Sequence, residues 1–254
     1  AVIAIFPLLW IILSSLKGKG EIAGNPTAFF PQVISFENYQ IVFEQMGFGT
    51  NVLNSILIAG GTTLLAITIS CLGAYGIVRF MPRLGNAITR VLITTYMFPA
   101  ILLAVPYSII MGKLGLVNNR IGLIIVYMTF SVPYAVWLLV GFFKTVPLEI
   151  EEAARVDGAS YLKIFTNIIL PQIKGGLITL ALLCFIDNWN VVEQPLIYFD
   201  NEGMYPLSVT LTDVGSSDYG IIFACGVIFM IPALLIYLYG HRDIDSPFVG
   251  TDKG

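Results

Sequence analysis

The chain has 254 residues, of which 57% are hydrophobic and only 11% are charged, and its formal net charge at pH 7 is −3. Because soluble domains average about 25% charged residues, this composition predicts a protein that lies in lipid, and so small a net charge does not indicate a nucleic-acid partner. Cys71, Cys184 and Cys225 each lie inside an apolar block, so we interpret them as small hydrophobic residues and not as a disulfide or metal set.

Six apolar blocks approach the length of about 20 residues that a membrane span requires. They cover approximately residues 1–14, 52–78, 88–111, 121–143, 175–194 and 219–240. The first block would cross roughly 20 Å of a hydrocarbon core about 30 Å thick, so we expect a truncated first helix. The predicted fold is an all-α membrane protein of six transmembrane helices. Residues 1–47 are assigned to the first helix and an external connection, 48–240 to the transmembrane domain, and 241–254 to a cytoplasmic tail.

The distribution of basic residues predicts the orientation of the chain. The loops after the second and fourth blocks, together with the C-terminal tail, contain nine Lys and Arg residues, whereas the other loops contain four. Since loops rich in Lys and Arg stay in the cytoplasm, we expect both termini to be cytoplasmic and the loop from Ile197 to Asp218 to be external. In the first connection, Ser35 is predicted to cap a short helix over Phe36 to Glu44 that lies along the membrane surface.

Small residues and prolines inside the blocks predict a tightly packed bundle with bendable helices. The segment Ala59 to Gly61 would let neighbouring helices approach closely, while Pro99, Pro106 and Pro133 each remove a backbone hydrogen bond and can kink a helix. Such residues are also ordinary in multispan bundles, so none of them alone indicates a function.

The fifth block ends in a polar segment, Asp187 to Gln194. Acids at the edge of a span usually face protein or a water-filled cavity, which predicts a polar lining for a solute path that suits a hydroxyl-rich ligand. The alternative is that the segment only marks the outer end of the span, with Trp189 in the interfacial belt. The candidate residues of the solute path are Asn51, Asn54, Ser55, Asp187, Asn188, Trp189, Asn190 and Glu193.

The predicted external loop that follows is acidic and aromatic. Tyr198, Phe199 and Tyr205 would suit docking to an external protein, although solvent and lipid headgroups select the same kind of loop.

The stretch from Glu151 to Pro171, EEAARVDGASYLKIFTNIILP, is unusually polar for this chain and predicts two short helices. Pro147 suits the first turn of the first helix, in which Glu151 and Arg155 could pair across one turn. The Asp157-Gly158 pair would end this helix, because glycine readily adopts the left-handed conformation of a C-terminal cap.

Ser160 is predicted to cap the second helix of this stretch. An apolar stripe would bind this helix to the membrane domain until Leu170-Pro171 ends it, and its members are Leu162, Phe165, Ile168 and Ile169. The first helix would present Ala153 and Ala154 outward, where small side chains permit close approach by a partner surface.

The pattern Glu152-Ala153-Ala154-x-x-Asp157-Gly158-Ala159, followed by Phe165 and Leu170-Pro171, resembles the EAA loop of binding-protein-dependent ABC importer permeases. In that family the loop forms a cytoplasmic coupling helix that docks in a groove of the ATP-binding subunit. The resemblance implies a type I ABC importer transmembrane domain over residues 48–240. The residues that it assigns to ATPase coupling are Glu151, Glu152, Ala153, Ala154, Asp157, Gly158 and Ala159.

Further segments are similar to the carbohydrate branch of that family, the maltose-type or MalG-like permeases. They are Phe6 to Trp10, Ser14 to Lys17, Phe29 to Pro31, Ser35 to Tyr39, and loosely the terminal Gly250 to Gly254. The segment Val191 to Gln194 departs from the usual apolar continuation. The resemblance therefore implies a carbohydrate cargo, an oligosaccharide or modified sugar, without identifying it.

The chain contains no phosphate-binding G-x-x-x-x-G-K-[ST] loop, so we expect a transport subunit that is not itself an enzyme. No catalytic residue, metal site or cofactor is predicted in this chain, and ATP and Mg²⁺ would be bound by partner subunits. The resemblance implies a second permease subunit in a heterodimer, two ATP-binding subunits and an extracytoplasmic solute-binding protein. The expected location is a bacterial or archaeal cytoplasmic membrane, with no nucleic acid involved.

Three alternatives remain open. The same importer class could carry a peptide, an amino acid or phosphate. An ion-coupled secondary transporter would need an internal repeat or ion-coupling charges in the membrane, for which Asp187 alone is thin support. An intramembrane enzyme would need a paired catalytic set, and the sequence offers one His and no Cys-His neighbours.

Overall fold

The computed structural model describes residues 2–25, 27–214 and 219–244, which are predominantly α-helical. In chain order the α-helices are α1 (Val2–Ser15), α2 (Glu21–Gly24), α3 (Glu37–Glu44), α4 (Phe48–Phe80), α5 (Gly85–Tyr96), α6 (Ala104–Lys113), α7 (Arg120–Thr145), α8 (Leu148–Val156), α9 (Tyr161–Ile164), α10 (Leu170–Gln172), α11 (Lys174–Trp189), α12 (Glu193–Tyr198), α13 (Leu207–Asp213) and α14 (Tyr219–Ile244). Turns of 3₁₀-helix span Ala100–Leu103 and Glu202–Met204, and a π turn spans Phe165–Ile169. Residues 245–254 of the predicted tail, including the segment from Gly250 to Gly254, lie outside the described residues.

Three of these helices, α4, α7 and α14, are long and apolar enough to cross a membrane alone, with mean hydropathies of 2.0, 2.1 and 2.7. Two further pairs meet the same criteria only together, because each is bent: α5 with the Ala100–Lys113 segment by 87°, and the Tyr161–Gln172 segment with α11 by 77°. The described residues thus provide between three and five spans, with the apolar part of α1 as a shorter helix. The count of six stays a prediction.

The third predicted span is not one continuous helix. α5 ends at Tyr96, and Pro99, whose backbone is extended, leads into the 3₁₀ turn before α6. A proline disfavours helical conformation in the residue before it, which accounts for a break at this point. Pro106 lies in the first turn of α6, where its missing N–H is tolerated, and Pro133 lies inside α7 without interrupting it.

α4 and α7 form the centre of the bundle and run parallel to each other. At one end Ile58 of α4 belongs to the same buried cluster as Leu123 of α7, and at the other end the rings of Tyr75 and Phe143 lie 5.8 Å apart. A Cβ on Gly61 would lie 3.2 Å from the side chain of Ile124. The close helix approach predicted for Gly61 is therefore confirmed at the seam of these two helices.

The short helix α3 begins at Glu37, one residue later than predicted, and the Ser35 hydroxyl accepts a hydrogen bond from the Glu37 N–H at 3.2 Å. Its Val42 is buried in a cluster with Phe48, and the Asn38 amide donates to the carbonyl oxygens of Ser15 and Lys17, both at 2.9 Å. Contacts with the bundle therefore bury the inner side of α3, and a position along the membrane surface stays a prediction.

Candidate functional site

The polar stretch from Glu151 to Pro171 lies at the bundle end where α4 and α7 finish, and its first helix, α8, ends as predicted. Gly158 has a φ of 80°, the Ala159 N–H donates to the Ala154 carbonyl at 3.0 Å, and the Gly158 N–H donates to the Arg155 carbonyl at 3.0 Å. These paired bonds are the Schellman motif. The Ser160 hydroxyl then accepts from the Lys163 N–H at 3.4 Å and caps α9.

Glu151 fastens α8 to the bundle instead of facing outward, since it is only 5% exposed. Its carboxylate accepts a hydrogen bond from the Tyr75 hydroxyl at 2.9 Å and forms an ion pair with the Arg79 guanidinium. Arg79 also donates to the carbonyl of Val146 at 2.9 Å. We call these four residues the Glu151 network. It joins α8 to α4 and to the end of α7.

The predicted pairing of Glu151 with Arg155 is wrong. Arg155 is exposed, and its guanidinium lies 5.1 Å from the ring centre of Tyr161 in a cation–π contact. A buried carboxylate needs a partner at the buried interface, and among the described residues Arg79 is the cation that supplies one there.

The exposed residues Glu149, Glu152, Ala153 and Val156 form the outer face of α8. The outward position predicted for Ala153 is confirmed, whereas Ala154 is half-buried and packs against the cluster that contains Tyr75. Ala154 thus belongs to the fastened side of the helix, together with Glu151.

The second helix of the stretch continues further than predicted. α9 leads through the π turn into α10, and the Leu170 N–H donates to the Phe165 carbonyl, five residues earlier. The wider π turn carries the chain past Pro171, which therefore does not end the helix at Leu170.

The apolar stripe of this second helix differs from the predicted one. Ile164, Phe165 and Ile169 are buried, but Leu162 is 71% exposed. Residues two positions apart face nearly opposite sides of an α-helix, so the burial of Ile164 turns Leu162 outward.

A cavity of about 310 Å³ lies between the α5–α6 bend, α7 and the end of α11. Its aromatic lining comes from Tyr96, Phe98, Phe130 and Tyr134, and the rings of Tyr96 and Tyr134 are stacked 5.3 Å apart. Its polar lining comes from Tyr127, Ser131, Asp187, Asn188, Glu193 and Gln194. Asp187, Asn188 and Glu193 of the predicted solute path are therefore brought together.

Trp189 and Asn190 do not line this cavity. The Trp189 ring is buried, stacks 5.3 Å from Phe185 and donates through Nε1 to the Phe229 carbonyl at 3.2 Å. Asn190 is exposed and donates to the Ile186 carbonyl at 2.6 Å. The continuous span predicted to residue 194 is wrong, because α11 ends at Trp189 and α12 begins at Glu193.

Asn51, Asn54 and Ser55 lie elsewhere and hold the segment that follows α12. The Asn54 amide donates to the carbonyls of Gly203 at 2.9 Å and Tyr205 at 3.1 Å, and the Ser55 hydroxyl accepts from the Leu207 N–H at 2.6 Å. The Asn51 amide donates to the Thr210 hydroxyl. None of the three lines the cavity with Asp187, since each pairs with groups of the segment between Gly203 and Thr210.

Tyr198 and Phe199, predicted to meet an external protein, are each only 2% exposed and belong to a buried cluster. The Tyr198 hydroxyl donates to the Ala104 carbonyl at 3.3 Å, and burial raises the pKa of Tyr198 to about 12, so this donor stays protonated at neutral pH. Tyr205 is half-buried. The exposed part of this region is Asp200, Asn201 and Glu202, which sequence reasoning did not select.

Sequence reasoning also missed much of the cavity. Tyr127, Ser131 and Tyr134 stand at positions i, i+4 and i+7 of α7, a spacing that puts side chains on one helix face. A polar and aromatic face inside an otherwise apolar span was the available signal.

Residues 66–245 match the protein family described as the binding-protein-dependent transport system inner membrane component. The chain is 31% identical over 249 residues to the diacetylchitobiose uptake system permease protein NgcG of Streptomyces coelicolor, covering 96% of this chain and 82% of that protein. It is 32% identical over 258 residues to the trehalose transport system permease protein SugB of Mycobacterium tuberculosis, covering 99% and 93%. Among solved structures, a bacterial ABC transporter involved in the import of the acidic polysaccharide alginate contains a chain with a TM-score of 0.79 and 25% identity, covering 95% and 91%.

Proposed function

The chain belongs to the inner membrane components of binding-protein-dependent transport systems, and on that premise we propose that it is the permease subunit of an ATP-driven importer of carbohydrates. The single observation that carries the proposal is the exposed helix α8, fastened by the buried Glu151 network to the two central helices of the bundle. Two proteins similar to this chain are named as permeases of diacetylchitobiose and trehalose systems, which supports a saccharide as cargo.

The outer face of α8 is the proposed docking surface for an ATP-binding subunit, which would bind ATP and Mg²⁺. Exposed apolar side chains rimmed by charges mark interaction surfaces, and Val156 and Leu162 at this end of the bundle are 88% and 71% exposed. Glu152, Ala153 and Asp157 are exposed beside them. Glu151 was predicted to contact the ATP-binding subunit, but we assign it the role of attaching the docked helix α8 to α4.

Coupling then follows from how the two short helices are attached. Closure of the ATP-binding subunits would displace α8, the Glu151 network would transmit that movement to α4 and α7, and the buried side of α9 would transmit it towards α11. A partner can shift a two-state equilibrium only by binding the two states differently, so the docking energy must differ between the inward-open and outward-open states.

The proposed assembly contains this chain, a second permease subunit as a heterodimer, two ATP-binding subunits and an extracytoplasmic binding protein. The distribution of Lys and Arg supports cytoplasmic termini and a cytoplasmic α8. Asp200, Asn201 and Glu202 then face the binding protein in place of Tyr198 and Phe199, which are buried.

The proposed function is tested with the intact transporter purified from its native host and reconstituted in proteoliposomes. The ligand that copurifies with the binding protein is identified by mass spectrometry, labelled, and supplied with that protein. We expect uptake that requires ATP and stops when the P-loop lysine of the partner ATPase is replaced by alanine. Undiminished uptake by that variant would favour a secondary transporter, and a peptide, amino acid or phosphate as the copurified ligand would overturn the carbohydrate assignment.

Charge reversal at Glu202 is expected to weaken the contact with the binding protein. Glu202 is exposed at the start of a 3₁₀ turn, and the loss of a rim charge mainly slows association. For Glu202→Lys we expect the half-saturating concentration of binding protein in the ATPase assay to rise by roughly threefold to tenfold, with basal ATPase activity unchanged. Glu44→Lys, an exposed reversal on α3, is the matched control. Equal effects of Glu202→Lys and Glu44→Lys would show that the segment around Glu202 is not part of the docking surface for the binding protein.

A further inference from the structure

The cavity beside the α5–α6 bend presents hydrogen-bond acceptors and no cation to whatever occupies it. Asp187 and Glu193 place carboxylates on its lining, and none of the described residues that line it is Lys or Arg. Neither carboxylate forms an ion pair in the described part of the chain. A ligand that carries hydrogen-bond donors is therefore favoured there, and one that carries negative charge is repelled.

Two buried polar atoms on the same lining lack partners. The Tyr127 hydroxyl and the Gln194 Oε1 atom form no hydrogen bond within the described structure, although these residues are only 2% and 7% exposed. A buried polar group without a partner costs about 1–3 kcal/mol, so each of these atoms gains from a ligand group that pairs with it. Gln194 Oε1 accepts only, and the Tyr127 hydroxyl can donate or accept.

Asn188 and Ser131 on the same lining are already paired with each other. The Asn188 amide donates to the Ser131 hydroxyl at 3.1 Å and to the Cys184 carbonyl at 2.6 Å. The groups that remain for a ligand are the two carboxylates, the Gln194 amide and the hydroxyls of Tyr96, Tyr127 and Tyr134. The amide and the hydroxyls can donate or accept, whereas the two charged groups only accept.

We propose that this cavity is a saccharide subsite of the permease that selects neutral or amino sugars and rejects acidic ones. The inference rests on the proposed function and adds a substrate class to it. Sugar hydroxyl or ammonium groups supply the donors that Asp187, Glu193 and Gln194 need, while the aromatic side chains of Tyr96, Phe98, Phe130 and Tyr134 offer apolar surface to a sugar ring. A volume of about 310 Å³ is at the lower end of ligand pockets, about 300–1,000 Å³, so the subsite takes one end of an oligosaccharide.

The test uses the intact transporter in lipid nanodiscs without its binding protein, so that the permease and not the binding protein does the selecting. Three disaccharide probes are compared by saturation-transfer NMR: neutral trehalose, the diamine chitobiose, and a mannuronate disaccharide with two carboxylates. We expect binding of trehalose and chitobiose and none of the mannuronate disaccharide. Binding of the acidic probe as strong as that of trehalose overturns the proposal.

Variants locate the selectivity in this cavity. We expect Asp187→Asn and Glu193→Gln each to weaken chitobiose binding about tenfold or more, and a tenfold change in Kd corresponds to about 1.4 kcal/mol of binding free energy. We expect Asp187→Lys to bind the mannuronate disaccharide. Glu44→Gln, on α3 and outside the cavity, should change none of the affinities. Unchanged chitobiose affinities in both Asp187→Asn and Glu193→Gln overturn the subsite. ATP-dependent uptake of the native ligand in wild-type proteoliposomes is measured in parallel, so that failure of the proposed function is recognised separately from failure of the subsite.

Discussion

Replacing Glu151 by alanine is expected to reduce solute uptake at least tenfold, because the change leaves the Arg79 guanidinium buried without its counter-ion. The two side chains of this ion pair are 11% and 7% exposed. Removing one partner of a buried pair typically costs about 3–5 kcal/mol, which is enough to detach α8 from the end of the bundle. Uptake and ATPase activity are measured on the same proteoliposomes, and the ratio of the two should fall.

The comparison variants for Glu151 separate charge, hydrogen bonding and packing. Glu151→Gln keeps an acceptor for the Tyr75 hydroxyl and should lose less than the alanine variant. The double variant Glu151→Met with Arg79→Met removes both charges, and apolar replacement of a whole buried pair is often neutral. It should therefore be more stable than either single methionine variant, which a double-mutant cycle measures. Additive losses would show that the pair contributes nothing to the attachment of α8.

The elements that the sequence predicts well are those determined by residues close to one another in the chain. The lengths of the apolar segments locate α4, α7 and α14, because a helix must be about 20 apolar residues long to cross the hydrocarbon core, independently of the rest of the chain. The break at Gly158 and the cap at Ser160 are confirmed for the same reason, since both use hydrogen bonds within a few residues. The prolines show the limit. Pro99 coincides with an 87° bend and Pro133 with an unbroken helix, so the presence of a proline alone does not predict a break.

The misassigned residues depend on partners far away in the chain. Glu151 and Glu152 are adjacent and chemically equal, and Glu151 is the buried one because Arg79 lies 72 residues earlier on α4. Asn54 and Ser55 pair with groups 149 to 152 residues later. Their polar side chains suggested a solute path in the sequence, but in the structure they form hydrogen bonds with the backbone of this later segment. The acidic part of the cavity could be predicted from Asp187 at the end of α11 and Glu193 just after it, whereas the aromatic side required knowing that α7 packs beside them.

Replacing Gly158 by valine is expected to uncouple transport from ATP hydrolysis while leaving membrane insertion intact. Gly158 has a φ of 80°, and a left-handed conformation costs a residue with a Cβ roughly 1–2 kcal/mol, with β-branched side chains the least tolerant. A Cβ at this position would meet no atom within 4 Å, so the penalty comes from the backbone alone. Relief of the strain would break the Schellman bonds and change the angle between α8 and α9.

The conformational origin of the Gly158 effect is tested by side chains that differ in their tolerance of positive φ. Asparagine adopts the left-handed region most readily after glycine, so Gly158→Asn should retain most of the uptake, Gly158→Ala an intermediate fraction and Gly158→Val the least. Gly49→Val adds the same side chain at an exposed helical position that is equally open and controls for bulk. ATPase activity that persists while uptake falls in this order would assign the effect to the turn between the docked helix and the helix that transmits its movement. Wild-type uptake in Gly158→Val would mean that coupling does not depend on that turn.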